Sequence, residues 1–84
     1  MLTELENAAK KVVGVKQVRR ALADGRTACL FMARDADPQL LAPLERQAAE
    51  RNVEVRWADS MRELGHACGI AVGAAVAAAL KESA

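Results

Sequence analysis

The sequence predicts one α/β domain folded as a three-layer α-β-α sandwich. Short apolar runs of strand length alternate along the chain with segments whose apolar residues recur at helical spacing. The 84 residues suffice for one small domain and contain no internal repeat, linker or low-complexity segment. Because Phe31 and Trp57 are the only aromatic residues while 19 residues are alanine, the core must consist of aliphatic side chains and closely packed alanine.

The first residues predict a helix followed by a brief strand. Thr3 and Glu6 have the spacing of a capping box, which predicts a helix from about residue 3 to residue 10. An apolar run then ends at a glycine, so residues 11–14 are predicted to form a short strand.

The second helix is predicted from Val15 to Ala23. Val15, Val18 and Leu22 share one helical face and would pack on the sheet. Gly25, just beyond them, is the residue type that most readily takes the left-handed conformation at a helix end.

Two further strands differ in their predicted position. Residues 27–33 form a continuous apolar run, which is typical of a central strand covered on both faces. Residues 53–57 alternate apolar with polar side chains, which indicates a strand nearer the edge of the sheet.

Along the sequence, helix three is predicted before that edge strand and helix four after it. Proline inside a helix removes an amide and crowds the preceding turn, so Pro43 predicts a short first turn at residues 38–42 and a main helix over 43–51. A second capping box, at Ser60 and Glu63, opens helix four. The predicted buried face of helix four comprises Met61, Leu64 and Cys68.

The end of the chain holds a glycine-bounded loop and a segment with two interpretations. Gly69 stops helix four, and the apolar residues between it and Gly73 form a loop. For residues 74–80, alanine propensity favours a helix, whereas their place after a helix in the α/β succession favours a strand. Periodicity does not decide between the two.

The charge is unevenly distributed along the chain. The net charge is +1, but residues 1–34 carry seven cations against three anions, and residues 35–84 carry five against eight. This pattern indicates a local docking site for an anionic partner. The acidic opening predicts no signal peptide, and no apolar run approaches membrane-spanning length. Cys29 and Cys68 lack metal-ligand spacing, which predicts buried, reduced thiols in a cytoplasmic protein.

The residues that could support catalysis or hold a metal have simpler explanations. His66 is the only histidine, and no motif places a nucleophile beside it, so a surface role is expected. Asp35 and Asp37 could hold a cation, but a hydrogen-bonded turn with a helix-capping aspartate is commoner. Phosphate-loop, dinucleotide and zinc-helix motifs are absent. We therefore expect no enzyme, no cofactor and no metal.

The start of helix two is the first candidate binding site. A helix entered through Gly14 exposes unpaired amides and the positive end of its dipole. Lys16 and Arg20 lie one turn apart, with Gln17 beside them. This arrangement suits an anionic partner with base edges, which means nucleic acid. The alternative is a solvated basic face on an ordinary amphipathic helix.

The apolar loop Ile70–Val72 is the second candidate. Apolar residues between two glycines usually pack back on the domain, but they can also cover an unstacked base. Because loops at one end of an α/β sheet gather into one site, the loop and the basic helix start are predicted to lie side by side.

Three motifs in order resemble the ribosomal L7Ae/L30e superfamily of kink-turn RNA binders, in particular its short bacterial members. They are V-V-G-V-K-Q-V-R-R, F-M-A-R-D-A-D-P and S-M-R-E-L-G-H-A-C-G-I-A-V-G-A-A, and they extend from about residue 8 to residue 80. The resemblance implies an α-β-α sandwich around a small four-stranded mixed sheet, with residues 74–80 as a strand.

The resemblance also implies a function and a site. Members of the family bind RNA that bends sharply at tandem sheared G·A pairs. Lys16, Gln17 and Arg20 would contact the guanine edges and nearby phosphates, and the loop would pack against flipped-out nucleotides. The full set of expected RNA contacts is Gly14, Val15, Lys16, Gln17, Arg19, Arg20, Arg34, Ile70, Ala71 and Val72.

Three departures from the family pattern concern the choice of RNA. Archaeal members have Asn-Glu in place of Lys16–Gln17, the family pattern has a lysine in place of Arg20, and relatives often have an acidic residue in place of Ala71. The expected partners are structured RNA and the ribosome, with no membrane, and the chain is expected to be a monomer. The alternative function is a protein-interaction domain of the same fold that has lost RNA binding.

Overall fold

The computed structural model describes residues 2–82 and contains four helices and one four-stranded sheet. The strands are β1 (Lys11–Val13), β2 (Thr27–Ala33), β3 (Glu54–Ala58) and β4 (Val76–Leu80). The helices are α1 (Thr3–Glu6), α2 (Val15–Ala23), α3 (Pro38–Glu50) and α4 (Met61–Ala67). The predicted fold class is confirmed.

The sheet is mixed, with the strand order β1-β4-β2-β3. β4 runs antiparallel to both of its neighbours, while β2 and β3 are parallel. Leu30 of β2 aligns with Ala78 of β4 on one side and with Val55 of β3 on the other. As predicted, the apolar strand β2 is central and the alternating strand β3 lies at an edge.

The helices cover both faces of the sheet. α2 and α3 lie side by side, and the carbonyls of Arg19 and Ala23 on α2 accept hydrogen bonds from Gln47 of α3 and from Arg51, the residue after that helix. On β3, Arg56 forms an ion pair with Glu4 of α1, whereas the next residue, Trp57, lies against α3. Because successive strand residues point to opposite faces, α1 and α3 occupy opposite layers.

Apart from Phe31, the core is built from aliphatic side chains, methionine, cysteine and alanine, as the composition predicts. Alanines of β4 are buried between the larger side chains of its neighbours, which include Phe31 and Leu30 on β2. The run at residues 74–80 is thus mostly strand because small side chains fit between two helical layers, and this packing overrides helix propensity.

Helix α1 is shorter than predicted, since it ends at Glu6 and not near Lys10. Leu2 occupies the cap position and no side chain caps the helix, so the predicted capping box of Thr3 and Glu6 does not form. The amine of Lys11 donates to the carbonyl of Leu5 at 3.2 Å, which satisfies an acceptor at the end of this short helix.

Helix α3 is continuous from Pro38 to Glu50, so the predicted break before Pro43 is wrong. Pro38 takes the first-turn position that suits proline, and the Asp37 side chain caps the helix by accepting from the Gln39 amide at 2.9 Å. Pro43 and Gln39 are both exposed, so water can solvate the Gln39 carbonyl that lacks the usual amide donor.

Helix α4 begins as predicted, with the Ser60 hydroxyl accepting from the Glu63 amide at 3.0 Å. The buried face of α4 matches the predicted face only in part. Leu64 is buried and Cys68 is half-buried, but Met61 is exposed and covers Gly73 of the following loop.

Candidate nucleic-acid interface

The sheet topology brings four chain segments to one end of the sheet. β1, β2 and β3 all finish there, and β4 begins there because it is antiparallel to its neighbours. The segments at this end are therefore the start of α2, the turn after β2, the turn after β3 and the loop before β4. Both candidate sites predicted from the sequence lie in these segments.

Gly14 joins the start of α2 to the start of β4. Its amide donates to the carbonyl of Val76 at 3.1 Å. Its φ of 103° is strained for any residue with a Cβ, and the Gln17 amide oxygen lies 3.0 Å from the position that a Cβ would take. Glycine is thus needed here for the backbone turn, and a side chain at this position would shift the amide of Gln17.

The first turn of α2 presents unpaired donors. The amides of Val15, Lys16 and Gln17 precede the first intrahelical hydrogen bond, and within residues 2–82 no side chain caps them, since the cap residue is Gly14. Lys16 and Gln17 are exposed, as are Arg19 and Arg20 in the next turn. The exposed side is polar while Val18 is buried, which is the amphipathic arrangement predicted from the sequence.

The cations of α2 are free of carboxylates within residues 2–82. Lys16, Arg19 and Arg20 form no ion pair there. Other arginines are engaged, since Arg56 pairs with Glu4 and Glu54 and Arg26 pairs with Asp24. The positive potential of this helix is therefore not neutralised by the domain itself.

The apolar loop is exposed at its tip and anchored at both ends. Val72 is 69% exposed and Ile70 is 38% exposed. The Ile70 amide donates to the carbonyl of Gly65 at 3.1 Å, and the Ala74 amide donates to the carbonyl of Met61 at 2.9 Å. These bonds hold the loop against α4 while its side chains face solvent.

Gly65 explains how the loop packs so closely on the helix. This residue is buried in α4, and a Cβ there would collide with the carbonyl oxygen of Val72. Gly73 has a comparable role, because its Cβ would lie 3.2 Å from that of Met61. The close approach fixes the direction in which Ile70 and Val72 project.

The loop and the basic helix start lie at the same end of the sheet. Val72 precedes Val76 by four residues, and therefore lies within about 14 Å of the strand residue that bonds Gly14. Lys16 follows Gly14 by two residues, a span of at most about 7 Å. Both predicted features therefore begin at the same end of the sheet, beside the paired strands β1 and β4.

Arg34 lies at this end of the sheet, but its guanidinium already contacts other side chains of the domain. Its guanidinium is 3.8 Å from the carboxylate of Asp59 and 5.8 Å from the ring centroid of Trp57. The side chain is 63% exposed, so solvent weakens the ion pair. Asp35 has a structural part, because its carboxylate accepts from the Met61 amide at 2.7 Å and joins the β2 turn to α4.

A cleft beside the loop is lined partly by residues outside the site predicted from the sequence. The cleft has a volume of about 490 Å³ and lies between the loop and the exposed face of α4. Arg62 and His66 of α4 form its helical wall, with Ser60 and Glu63 at the helix start. The sequence contains one sign of this cleft: a glycine within a helix, here Gly65, often marks close packing against another segment.

Within residues 2–82, no three His, Cys, Asp or Glu side chains gather as metal ligands. His66 is exposed, and no helix over the same range is long and apolar enough to cross a membrane.

The thiols are not activated. Burial raises the pKa of Cys29 from its ordinary 9.0 to about 11, and burial also raises the pKa of Cys68. Both cysteines are reduced, Cys29 buried and Cys68 half-buried. The hydrogen bond to Glu54 raises the pKa of Arg56. None of these groups lies on α2 or in the loop.

Comparison with known proteins agrees with the fold and identifies the family. Residues 1–84 match the ribosomal protein L7Ae/L30e/S12e/Gadd45 family, and the chain belongs to that family.

Several relatives carry the name RNA-binding protein. One from Geobacillus sp. (strain WCH70) is 46% identical over 74 residues, which cover 88% of this chain and 90% of the relative. One from Bacillus pumilus (strain SAFR-032) is 40% identical over 75 residues, covering 89% and 92%. The large ribosomal subunit protein eL8 of Halobacterium salinarum is 35% identical over 66 residues, covering 77% of this chain and 55% of that protein.

Solved structures share the fold at lower identity. The Giardia lamblia 15.5kD RNA binding protein superimposes with a TM-score of 0.86 at 23% identity, covering 98% of this chain and 72% of that one. A protein of unknown function from Bacillus halodurans C gives a TM-score of 0.82 at 20% identity, covering 95% and 80%.

Proposed function

We propose that this protein binds structured RNA and stabilises a kink-turn, the sharp bend that forms at tandem sheared G·A pairs. The proposal rests on one observation, which is that two features lie at the same end of the sheet. The unpaired cations of α2 and the exposed apolar loop are connected there through the Gly14–Val76 hydrogen bond. The family and the names of its bacterial relatives support RNA as the partner.

The start of α2 supplies the polar contacts. Lys16 and Arg20 would approach phosphates that crowd together when the RNA bends, and Gln17 would accept hydrogen bonds from guanine N–H groups. Gly14 keeps this surface open, because a side chain there would displace the Gln17 amide. The arginine fork at position 20 can contact two acceptors at once, whereas a lysine offers a point charge.

The loop supplies the apolar contacts. Ile70, Ala71 and Val72 would cover bases that leave the stack in the bent RNA. Since these contacts exist only in the bent form, binding shifts the RNA equilibrium toward it. Arg19 and Arg34 add charge at the rim of the same surface. We propose a monomer that acts in the cytoplasm, on ribosomal or other structured RNA.

Binding to two RNAs that differ only at the bend tests this function. One RNA carries the tandem G·A pairs, and in the other Watson–Crick pairs replace them. We expect tighter binding to the first by at least tenfold, and a larger bend in that RNA measured by fluorescence energy transfer. Equal affinities would reject kink-turn recognition.

A second experiment separates this proposal from the interaction-domain alternative. The protein is recovered from its own cells with and without nuclease treatment, and the bound material is identified. Copurification of RNA with G·A-paired bends supports the proposal. Retention of a protein partner after nuclease treatment, with no RNA retained otherwise, would favour the alternative.

A further inference from the structure

We propose that the cleft between α4 and the apolar loop binds one nucleotide of the RNA, with its phosphate at Arg62 and its base between His66 and Val72. This inference rests on the proposed function and extends the interface from the sheet end onto the outer face of α4. It assigns a role to Arg62 and His66, which are absent from the set of RNA contacts expected from the sequence.

The two walls of the cleft differ in character. On the loop side, Val72 and Ile70 expose apolar surface that no residue of the domain covers within residues 2–82. On the helix side, Arg62 and His66 are four residues apart and therefore share one face of α4, about 6 Å apart along the axis. An apolar wall facing a cation and an imidazole matches a nucleotide, which combines a flat base with a phosphate.

The charge of the cleft favours an anionic occupant at Arg62. Within the described residues this guanidinium forms no ion pair, although Glu63 follows it in the sequence. The Glu63 amide is held by the Ser60 hydroxyl, which fixes the first turn of the helix. The Glu63 carboxylate lies on the same rim and can accept from a base amino group, so it favours a nucleotide over a bare phosphate ion.

The cleft is formed before any ligand enters it. The loop is bonded to Gly65 and Met61 of α4, and the missing Cβ of Gly65 lets Val72 approach the helix. The amide of Met61 is also bonded to Asp35, which ties the cleft to the turn after β2. A rigid cleft loses little conformational entropy on binding, so even one nucleotide adds measurable affinity.

The cleft is also continuous with the proposed RNA surface. The loop forms one wall of the cleft and, through β4, reaches the residue that bonds Gly14. An RNA strand that lies across the loop from α2 would therefore arrive at α4 without leaving the protein.

The test uses the full chain, the kink-turn RNA, and a set of RNAs in which the base of one nucleotide at a time is removed. His66→Ala should weaken binding to the intact RNA about fivefold or more, the scale of a lost base contact. On the RNA that lacks the base held in the cleft, the same variant should bind as the wild type does. Arg62→Ala should weaken binding to both RNAs, and should lower the salt slope by roughly 0.7 to 0.9, the value for one phosphate contact.

Arg46→Ala is the matched control, since Arg46 is exposed on α3 and also forms no ion pair within the described residues. If Arg62→Ala and His66→Ala bind the kink-turn RNA like Arg46→Ala, the cleft is not part of the interface and the inference is overturned. If the wild type does not distinguish G·A from Watson–Crick RNA, the proposed function fails, and this inference fails with it. The experiment therefore distinguishes a failure of the cleft inference from a failure of the proposed function.

Discussion

Substituting Gly65 by alanine should destabilise the protein, although the same change usually stabilises a helix. In an exposed helix interior, alanine is more favourable than glycine by about 1 kcal/mol. Here the new Cβ meets the carbonyl oxygen of Val72, which is a backbone atom held by the anchored loop. A side chain could rotate away, but the loop must move as a whole.

The expected magnitude follows from these opposing effects. Overpacking against atoms that cannot yield costs about 3 kcal/mol, and helix propensity offsets about 1 kcal/mol of that. We expect a net loss of about 2 kcal/mol in the free energy of unfolding, which lowers the Tm of a domain of this size by about 10 °C. Thermal and urea unfolding followed by circular dichroism would measure both quantities.

A pair of variants on α3 gives the control. Arg46 is exposed in the middle of that helix, so the difference between Arg46→Ala and Arg46→Gly reports helix propensity without a collision. If Gly65→Ala is as stable as the wild type or more stable, the close approach of the loop to α4 is refuted. The variant should also weaken RNA binding, because it displaces Ile70 and Val72.

Three further predictions concern the helix start, the caps and the thiols. Lys16→Ala combined with Arg20→Ala should weaken RNA binding by about 2 kcal/mol or more and reduce the salt slope by roughly 1.5; an unchanged slope in titrations at several salt concentrations would mean that neither side chain touches RNA. Ser60→Ala should lower the free energy of unfolding by about 1 kcal/mol, whereas Thr3→Ala, at the capping box that does not form, should change it little. Since a raised pKa lowers the thiolate fraction, Cys29 should be alkylated about 100-fold more slowly than a free thiol at pH 8, measured by mass spectrometry, and reaction at the ordinary rate would contradict its burial.

Local patterns predicted most elements because their causes are local. The bounds of α2 and β2 match the predicted residues, since side-chain periodicity and the turn at Gly25 set them. β3 is shifted by one residue from its predicted bounds, to Glu54–Ala58. The Ser60 side chain caps α4 as predicted, by accepting from the Glu63 amide, whereas Leu2 and not Thr3 takes the cap position of α1.

The sequence by itself determined the class of fold, the basic start of α2 and the apolar character of the loop, because these depend on residue type and spacing. For residues 74–80, residue patterns left helix and strand open and the family resemblance implied a strand; the structure shows the strand at residues 76–80 and the packing that favours it. Only the tertiary structure decided that α3 continues through Pro43 and that Arg62 and His66 face the loop across a cleft. The strand and the cleft depend on contacts between segments distant in the chain, whereas α3 tolerates Pro43 because water reaches the exposed Gln39 carbonyl. A buried alanine strand is stable only between two helical layers, and a cleft exists only where two segments meet.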